Sequence, residues 1–193
     1  MSSRLRKYDP ADLDPEQYAF YAHYLPDSPR GKRGRSGGIP LLDADGQLVG
    51  PSAAWLLNPA FGQDYIPLGL SVRTKTGLSP RSQEIIILVV GQRLQNAFER
   101  YAHEAAARAI GMSDDEIAAL SNGDPITFAD PEEQACYQLT HTMMATGGLG
   151  DDAYAHAVEV LGEKGLFGVT AIIGWYWTAA LQMSVFGITP PQS

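Results

Sequence analysis

The chain has 193 residues, 45% of them hydrophobic and 19% charged, so it can bury a substantial core and lacks the composition of disorder. A formal net charge of −8 argues against a nucleic-acid-binding surface, which needs clustered Lys and Arg. The single cysteine, Cys136, excludes an internal disulfide and a multi-cysteine metal cage.

The length fits one domain, with an N-terminal helix and arm over about residues 1–60 and a helical core over 61–193. The start, "MSSRLRKYDPADLDPEQ", has no apolar stretch of the signal-peptide kind, and the cytoplasm is the expected compartment. "DPEQYAFYAHYL" opens with Asp14 as N-cap, Pro15 at the first helical position and Gln17 at the capping-box position. The cluster "RGKRGR" (Arg30 to Arg35) lies among glycines and reads as a solvated loop, with phosphate binding as the lesser alternative. It belongs to an irregular arm expected near residues 26 to 52, where Asp45-Gly46 and Gly50-Pro51 mark turns. A helix is expected from Ala60 to Thr76, interrupted by Pro67.

"LSPRSQEIIILVVGQRL" starts with Ser79-Pro80, a cap followed by proline. Its run from Glu84 to Val90 could equally be a buried strand, because continuous apolar runs do not distinguish the two. The Ser-Pro start and the helical neighbours favour helix. "MSDDEIAAL" carries the capping box Ser113-x-x-Glu116, and "DPEEQACYQLTHTMMATG" runs from Asp130-Pro131 to a stop at Gly147-Gly148. A further helix is expected from Asp151 to Leu161. The last, Gly165 to Ile188, has no charge. It is long enough to span a bilayer, but Trp175-Tyr176-Trp177 sit near its middle rather than at an interface. A buried or subunit-contact helix is therefore expected, not a membrane anchor. The fold class that emerges is all-α.

The segment "QNAFERYAHEAAARAIG" carries the chemistry. At about 100° per residue, Phe98, Ala102, Ala105 and Ala109 form a core-facing stripe, and Arg100, Glu104 and Arg108 face water. Glu99 and His103, four apart, fall beside the core stripe in line with Ala106 and Ile110, among small side chains that leave room for a ligand. The competing view is structural: Asn96-x-x-Glu99 can be a capping box, which would commit Glu99 to the backbone.

The stretch "LSPRSQEIIILVVGQRLQNAFERYAHEAAARAIGMSDDEIAAL" resembles the core of the carboxymuconolactone decarboxylase / alkylhydroperoxidase D-like family. The matching residues are Leu78 to Arg81, Glu84, Phe98-Glu99, His103, Gly111, Ser113 and Ile117. "GVTAIIGWYWTAALQMSVFGI" resembles the family's closing helix, and "DADGQLVGPSAAWLLNPAFG" the upstream arm of its longer members. The resemblance implies an alkylhydroperoxidase D-like helical bundle, makes Glu84 to Val90 helical, and implies a homo-oligomer: trimer, dimer or hexamer.

The peroxidase branch of that family carries Cys-x-x-Cys-x-x-x-His. Counting back from His103, its cysteine positions hold Asn96 and Glu99. Cys136 lies on another expected helix without a partner thiol, so disulfide-cycling peroxidase chemistry is disfavoured. The sequence instead resembles the decarboxylase-type branch, which uses neither metal nor organic cofactor. In that reading His103 is the general acid/base, and Glu99 and Glu84 orient and tune it. Asn96 is the candidate donor to a dienolate oxygen, Trp175 and Tyr176 candidate cavity walls, and Arg73, Arg81 or Arg93 the partner of a substrate carboxylate. His103, His141 and His156 show no tight ligand pair, so no metal is expected.

The expectation is a cofactor-independent lyase or isomerase of a small unsaturated oxygenated carboxylic acid or lactone, such as an aromatic ring-cleavage product, with no nucleic-acid or membrane partner. The alternatives are a thiol peroxidase using Cys136 and a catalytically silent helical binding protein.

Overall fold

The computed structural model describes residues 4–191, with nine α-helices among them. In chain order these are α1 (Pro15–Ala22), α2 (Pro29–Arg33), α3 (Pro51–Trp55), α4 (Pro59–Lys75), α5 (Pro80–Arg93), α6 (Ala97–Ala109), α7 (Asp114–Asn122), α8 (Pro131–Thr146) and α9 (Asp151–Phe186). No strand occurs among the described residues, only an isolated antiparallel bridge between Leu42 and Leu48. The fold is all-α, as the capping signals require.

Local chemistry sets most boundaries. Asp14 with Gln17 and Ser113 with Glu116 form complete capping boxes. Ser79 caps α5 through Ser82 N–H, and Asp130 accepts from both Glu132 and Glu133 N–H. Gly162, at φ 67°, breaks α9 into the two helical halves expected from sequence. No described helix is long and apolar enough to cross a membrane.

Helix α5 is the hub. Every residue from Ile85 to Val90 is at most 1% exposed. Ile86, Ile87 and Val90 pack on Cys136 and Leu139 of α8 and on Val169 and Ile172 of α9. Ile85, Leu88 and Val89 pack on Ala107 of α6 and on Ile117 and Leu120 of α7. A helix covered on all sides has no polar face and hence no 3.6-residue period, which is why this segment reads as strand-like in sequence. Arg81 ties the surrounding helices, with Nε 2.6 Å from Glu133 on α8 and Nη2 2.6 Å from Glu116 on α7.

The N-terminal part closes over the other side of this core. Phe20, Tyr21 and Tyr24 pack with Trp55, Leu56 and Tyr65, joining α1, α3 and α4. The arm between α1 and α3 is less irregular than expected: residues 29–33 form a short helix capped by Ser28, and 36–38 a 3-10 turn. Ile39 and Val49 of the arm contact Phe98 and Ala102 on α6 and Met183 on α9. The arm can approach α6 this closely because of Gly37, whose φ is +72°. A Cβ there would stand 2.7 Å from the backbone of Ala105 and Ala106.

Replacing Gly37 by Ala should therefore lift the arm from α6, costing about 1–3 kcal/mol through strain at this φ and the backbone clash. Faster proteolytic cleavage between residues 30 and 50 is the expected readout. Unchanged cleavage and melting temperature would show that the contact does not hold the arm.

Candidate active site

The structure places Glu84, Glu99 and His103 together. Glu84 sits on the fourth turn-forming residue of α5 after its proline start, and its side chain is 2% exposed. One carboxylate oxygen, Oε1, accepts from Arg73 Nη2 of α4 at 2.5 Å, and the other, Oε2, lies 2.7 Å from His103 Nδ1 of α6. Burial works to raise the Glu84 pKa, but His103 and Arg73 outweigh it and the net direction is down. Glu84 is thus held ionised. An ionised carboxylate only accepts, which assigns the ring proton of neutral His103 to Nδ1 and leaves Nε2 as the basic nitrogen.

Nε2 faces a second carboxylate, Glu99 Oε2, at 3.5 Å. Glu99 is 4% exposed, and burial pushes its pKa up to about 7; His103 and Arg35 act to lower it, and Glu84 adds to the rise. The two acids therefore differ in kind: Glu84 is a fixed anion, and Glu99 exchanges its proton near neutrality. The capping-box alternative resolves halfway. Asn96 Oδ1 accepts from Glu99 N–H at 2.9 Å, but the Asn96 N–H donates to Gly91 O, leaving the Glu99 carboxylate uncommitted.

His103 and Glu99 open on a cavity of about 340 Å³ between the arm, α3, α4, α6 and α9, with Glu84 buried behind the lining. Tyr176, 6% exposed, meets the His103 ring edge-on with centroids 5.0 Å apart. Trp175 stacks on Tyr65 at 5.1 Å, and a Cβ on Gly69 would strike its indole at 2.5 Å. Both expected aromatic walls line the cavity. Of the three candidate arginines only Arg73 does. It is partly covered, and its Nη1 is buried without a hydrogen-bond partner. Burial works against its charge, yet Tyr176 and Glu84 more than restore it and the pKa is raised. Arg81 is engaged by Glu116 and Glu133, and Arg93 is exposed at the end of α5 outside the cavity lining.

Two expectations need correction. Asn96 does not line the cavity: its side-chain amide donates to Ala180 O at 3.0 Å and to Ser184 Oγ at 3.1 Å, fastening α6 to α9. The stripe on α6 is also rotated. Phe98, Glu99, Ala102, Ala106 and Ala107 are buried, whereas Ala109 and Ile110 are exposed. The arm lies on the side of Ala102 and Ala106 and shifts the covered face.

The sequence reading missed the arm's share. Arg30, Arg33 and Arg35 of the basic cluster line the cavity, together with Ser52 and Trp55 of α3. Arg35 donates to Pro40 O at 3.1 Å and Val49 O at 3.0 Å, and burial, aided by Arg30, lowers its pKa to about 10, so it stays charged at neutral pH. A dense basic run in an acidic chain was the available signal. Cys136 lies elsewhere, fully buried between α5, α8 and α9, and burial raises its thiol pKa to about 12. Among the described residues, no group of three or more His, Cys, Asp or Glu is placed to hold a metal ion.

Glu99 predicts a pH signature. Its folded-state pKa of about 7 exceeds the ordinary 4.5. The contribution of the protonated carboxyl to stability is complete below pH 4.5 and is lost as pH rises through about 7. Glu99→Gln should be more stable than the parent at pH 8 by up to roughly 3 kcal/mol, with the gap closing toward pH 5. Parallel denaturation curves for the two proteins at all pH values would refute this.

Residues 59–142, from α4 into α8, match the carboxymuconolactone decarboxylase family. A crystal structure from Agrobacterium tumefaciens, of a protein of unknown function with a suggested antioxidant defence role as AhpD, superposes with a TM-score of 0.65 at 20% identity, covering 72% of this chain and 96% of that one. At that identity the resemblance speaks for the fold alone. No curated protein matches the chain. The stretch from α4 into α8 is thus similar to the carboxymuconolactone decarboxylase family, and the bundle around it shares the fold of the Agrobacterium protein.

Proposed function

We propose that the cavity carries out cofactor-independent acid/base chemistry on a small unsaturated oxygenated carboxylic acid or lactone, by decarboxylation or double-bond isomerisation. One observation carries the reading: a single imidazole bridges a fixed carboxylate and a second carboxyl that titrates near pH 7, inside a cavity that also presents an unpartnered guanidinium N–H. Arg73 Nη1 holds a carboxylate or carbonyl oxygen of the substrate, taking the donor role expected of Asn96.

For isomerisation, His103 Nε2 removes a proton from the carbon between carbonyl and alkene, and the electron pair enters a dienolate. The neutral Glu99 carboxyl protonates the remote carbon. The imidazolium then returns its proton to Glu99 across the 3.5 Å gap. For decarboxylation, the C–C electron pair enters the dienolate as CO2 leaves, Glu99 supplies the carbon-bound proton, and solvent replaces it. Glu84 stays ionised throughout and stabilises the imidazolium.

A thiol peroxidase reading would need Cys136 as a thiolate, and its burial and raised pKa work against that. The silent binding protein is disfavoured by the open cavity that His103 and Glu99 line.

The test is a panel of ring-cleavage acids and lactones followed by ultraviolet absorbance in chelator-treated buffer. On a turned-over substrate, His103→Ala should lower kcat by about 100- to 10,000-fold. Glu99→Gln should remove a limb near pH 7 from the kcat/KM profile, and thiol alkylation should change nothing. Full activity of the His103 variant, or loss on alkylation, would overturn the proposal.

Self-association belongs to the same reading. Phe167, Trp177, Leu181 and Val185 leave an apolar stripe on one face of α9, each at least 40% exposed. Sedimentation should give a dimer, trimer or hexamer, and a monomer at micromolar concentration would remove this part.

A further inference from the structure

The arm contributes more than closure. Within the cavity lining, Arg30 and Ser52 each carry a polar atom that is buried and unpartnered: Arg30 Nε and Ser52 Oγ. Ser52 is 0% exposed. Behind them lies Tyr24, 1% exposed, whose ring supports the Arg30 guanidinium at 4.8 Å and whose hydroxyl lies against Ser52. Among the described residues Arg30 makes no ion pair with a carboxylate, unlike Arg73 and Arg81. Leaving buried donors unsatisfied costs about 1–3 kcal/mol each. A group of them around one wall, with a guanidinium held over an aromatic face, is a recognition surface for oxygen acceptors.

This wall is separate from the one that holds Arg73. Arg30 lies with Tyr24 and Ser52 of the N-terminal part, whereas Arg73 lies with Glu84 and Tyr176 of the core. Arg35 stands between the two sets, acting on Tyr24 on one side and Glu99 on the other, while its Nη1 and Nη2 donate to Pro40 O and Val49 O. It contributes fixed positive charge. The cavity therefore gathers Arg30, Arg33, Arg35 and Arg73 around one lining carboxylate, Glu99, while Glu84 lies behind the lining, paired with Arg73 and His103. Glu99 is only partly ionised near neutrality, so positive charge is in excess.

We propose that the arm wall is a second oxyanion subsite, in which Arg30 and Ser52 receive an acidic group of the ligand distinct from the one at Arg73, with Tyr24 as the positioning residue beneath Arg30. The inference rests on the acid-binding reading of the cavity. It assigns ligand selection to a segment outside residues 59–142, the part that matches the family.

Unreactive saturated acids test it without turnover. Isothermal titration would compare butanoate, pentanoate and hexanoate with succinate, glutarate and adipate, and with the phosphonocarboxylate of matching length. At least one diacid should bind about tenfold tighter than the monoacid of equal carbon number. Arg30→Gln and, separately, Ser52→Ala should each cut that advantage to below about threefold while leaving monoacid affinity unchanged. Arg73→Gln should weaken both classes. Preference for the phosphonate over the dicarboxylate would identify a tetrahedral rather than planar acidic group, and either preference supports the subsite. Equal binding of monoacids and diacids, or an undiminished diacid advantage in both arm variants, overturns the subsite and leaves the proposed function standing. Failure of every acid to bind the parent protein overturns both.

Discussion

The arrangement turns on one buried carboxylate, Glu84, shared between Arg73 and His103. A lone carboxylate at 2% exposure would protonate or unfold its surroundings, because desolvating an ion costs several kcal/mol unless partners replace the lost water. Here each oxygen has a strong partner, and the partners come from α4 and α6 while Glu84 belongs to α5. The same contact that makes the anion tolerable therefore fixes three helices and the tautomer of the imidazole. Structure and chemistry are not separable at this point.

Glu99 shows what happens where such partners are missing. It lies on the same helix as His103 and is buried like Glu84, yet among the described residues its carboxylate is paired only with the imidazole, at 3.5 Å. Its proton affinity rises until the carboxyl titrates near neutrality. Two glutamates of identical chemistry thus acquire different roles from the number of donors around each. The arm's arginines act on this balance, since Arg35 pulls the Glu99 pKa downward. A segment remote in sequence so tunes the acid in the cavity.

The family-matched helices supply Glu84, Arg73, Glu99 and His103, whereas the arm and α9 supply the basic wall and the aromatic wall. One core can serve different ligands when the surrounding segments change. Trp175 illustrates how firmly such a wall can be set. Its backbone carbonyl accepts from Tyr65 Oη at 2.7 Å, its ring stacks on Tyr65, and Gly69 leaves room for it on α4.

What the sequence alone determined was local. Caps such as Asp14, Ser79, Ser113 and Asp130 act within three residues, so the helix starts could be read directly, and the four-residue spacing of Glu99 and His103 put both on one side of α6. Resemblance to a family added Glu84. Tertiary structure alone decided the rest, because it depended on which helices touch. It chose Arg73 over Arg81 and Arg93, committed Asn96 to α9, and folded a basic run that looks solvated over the cavity. Charge, burial and the count of hydrogen-bond partners are properties of a neighbourhood, and a chain read residue by residue does not contain its neighbourhoods.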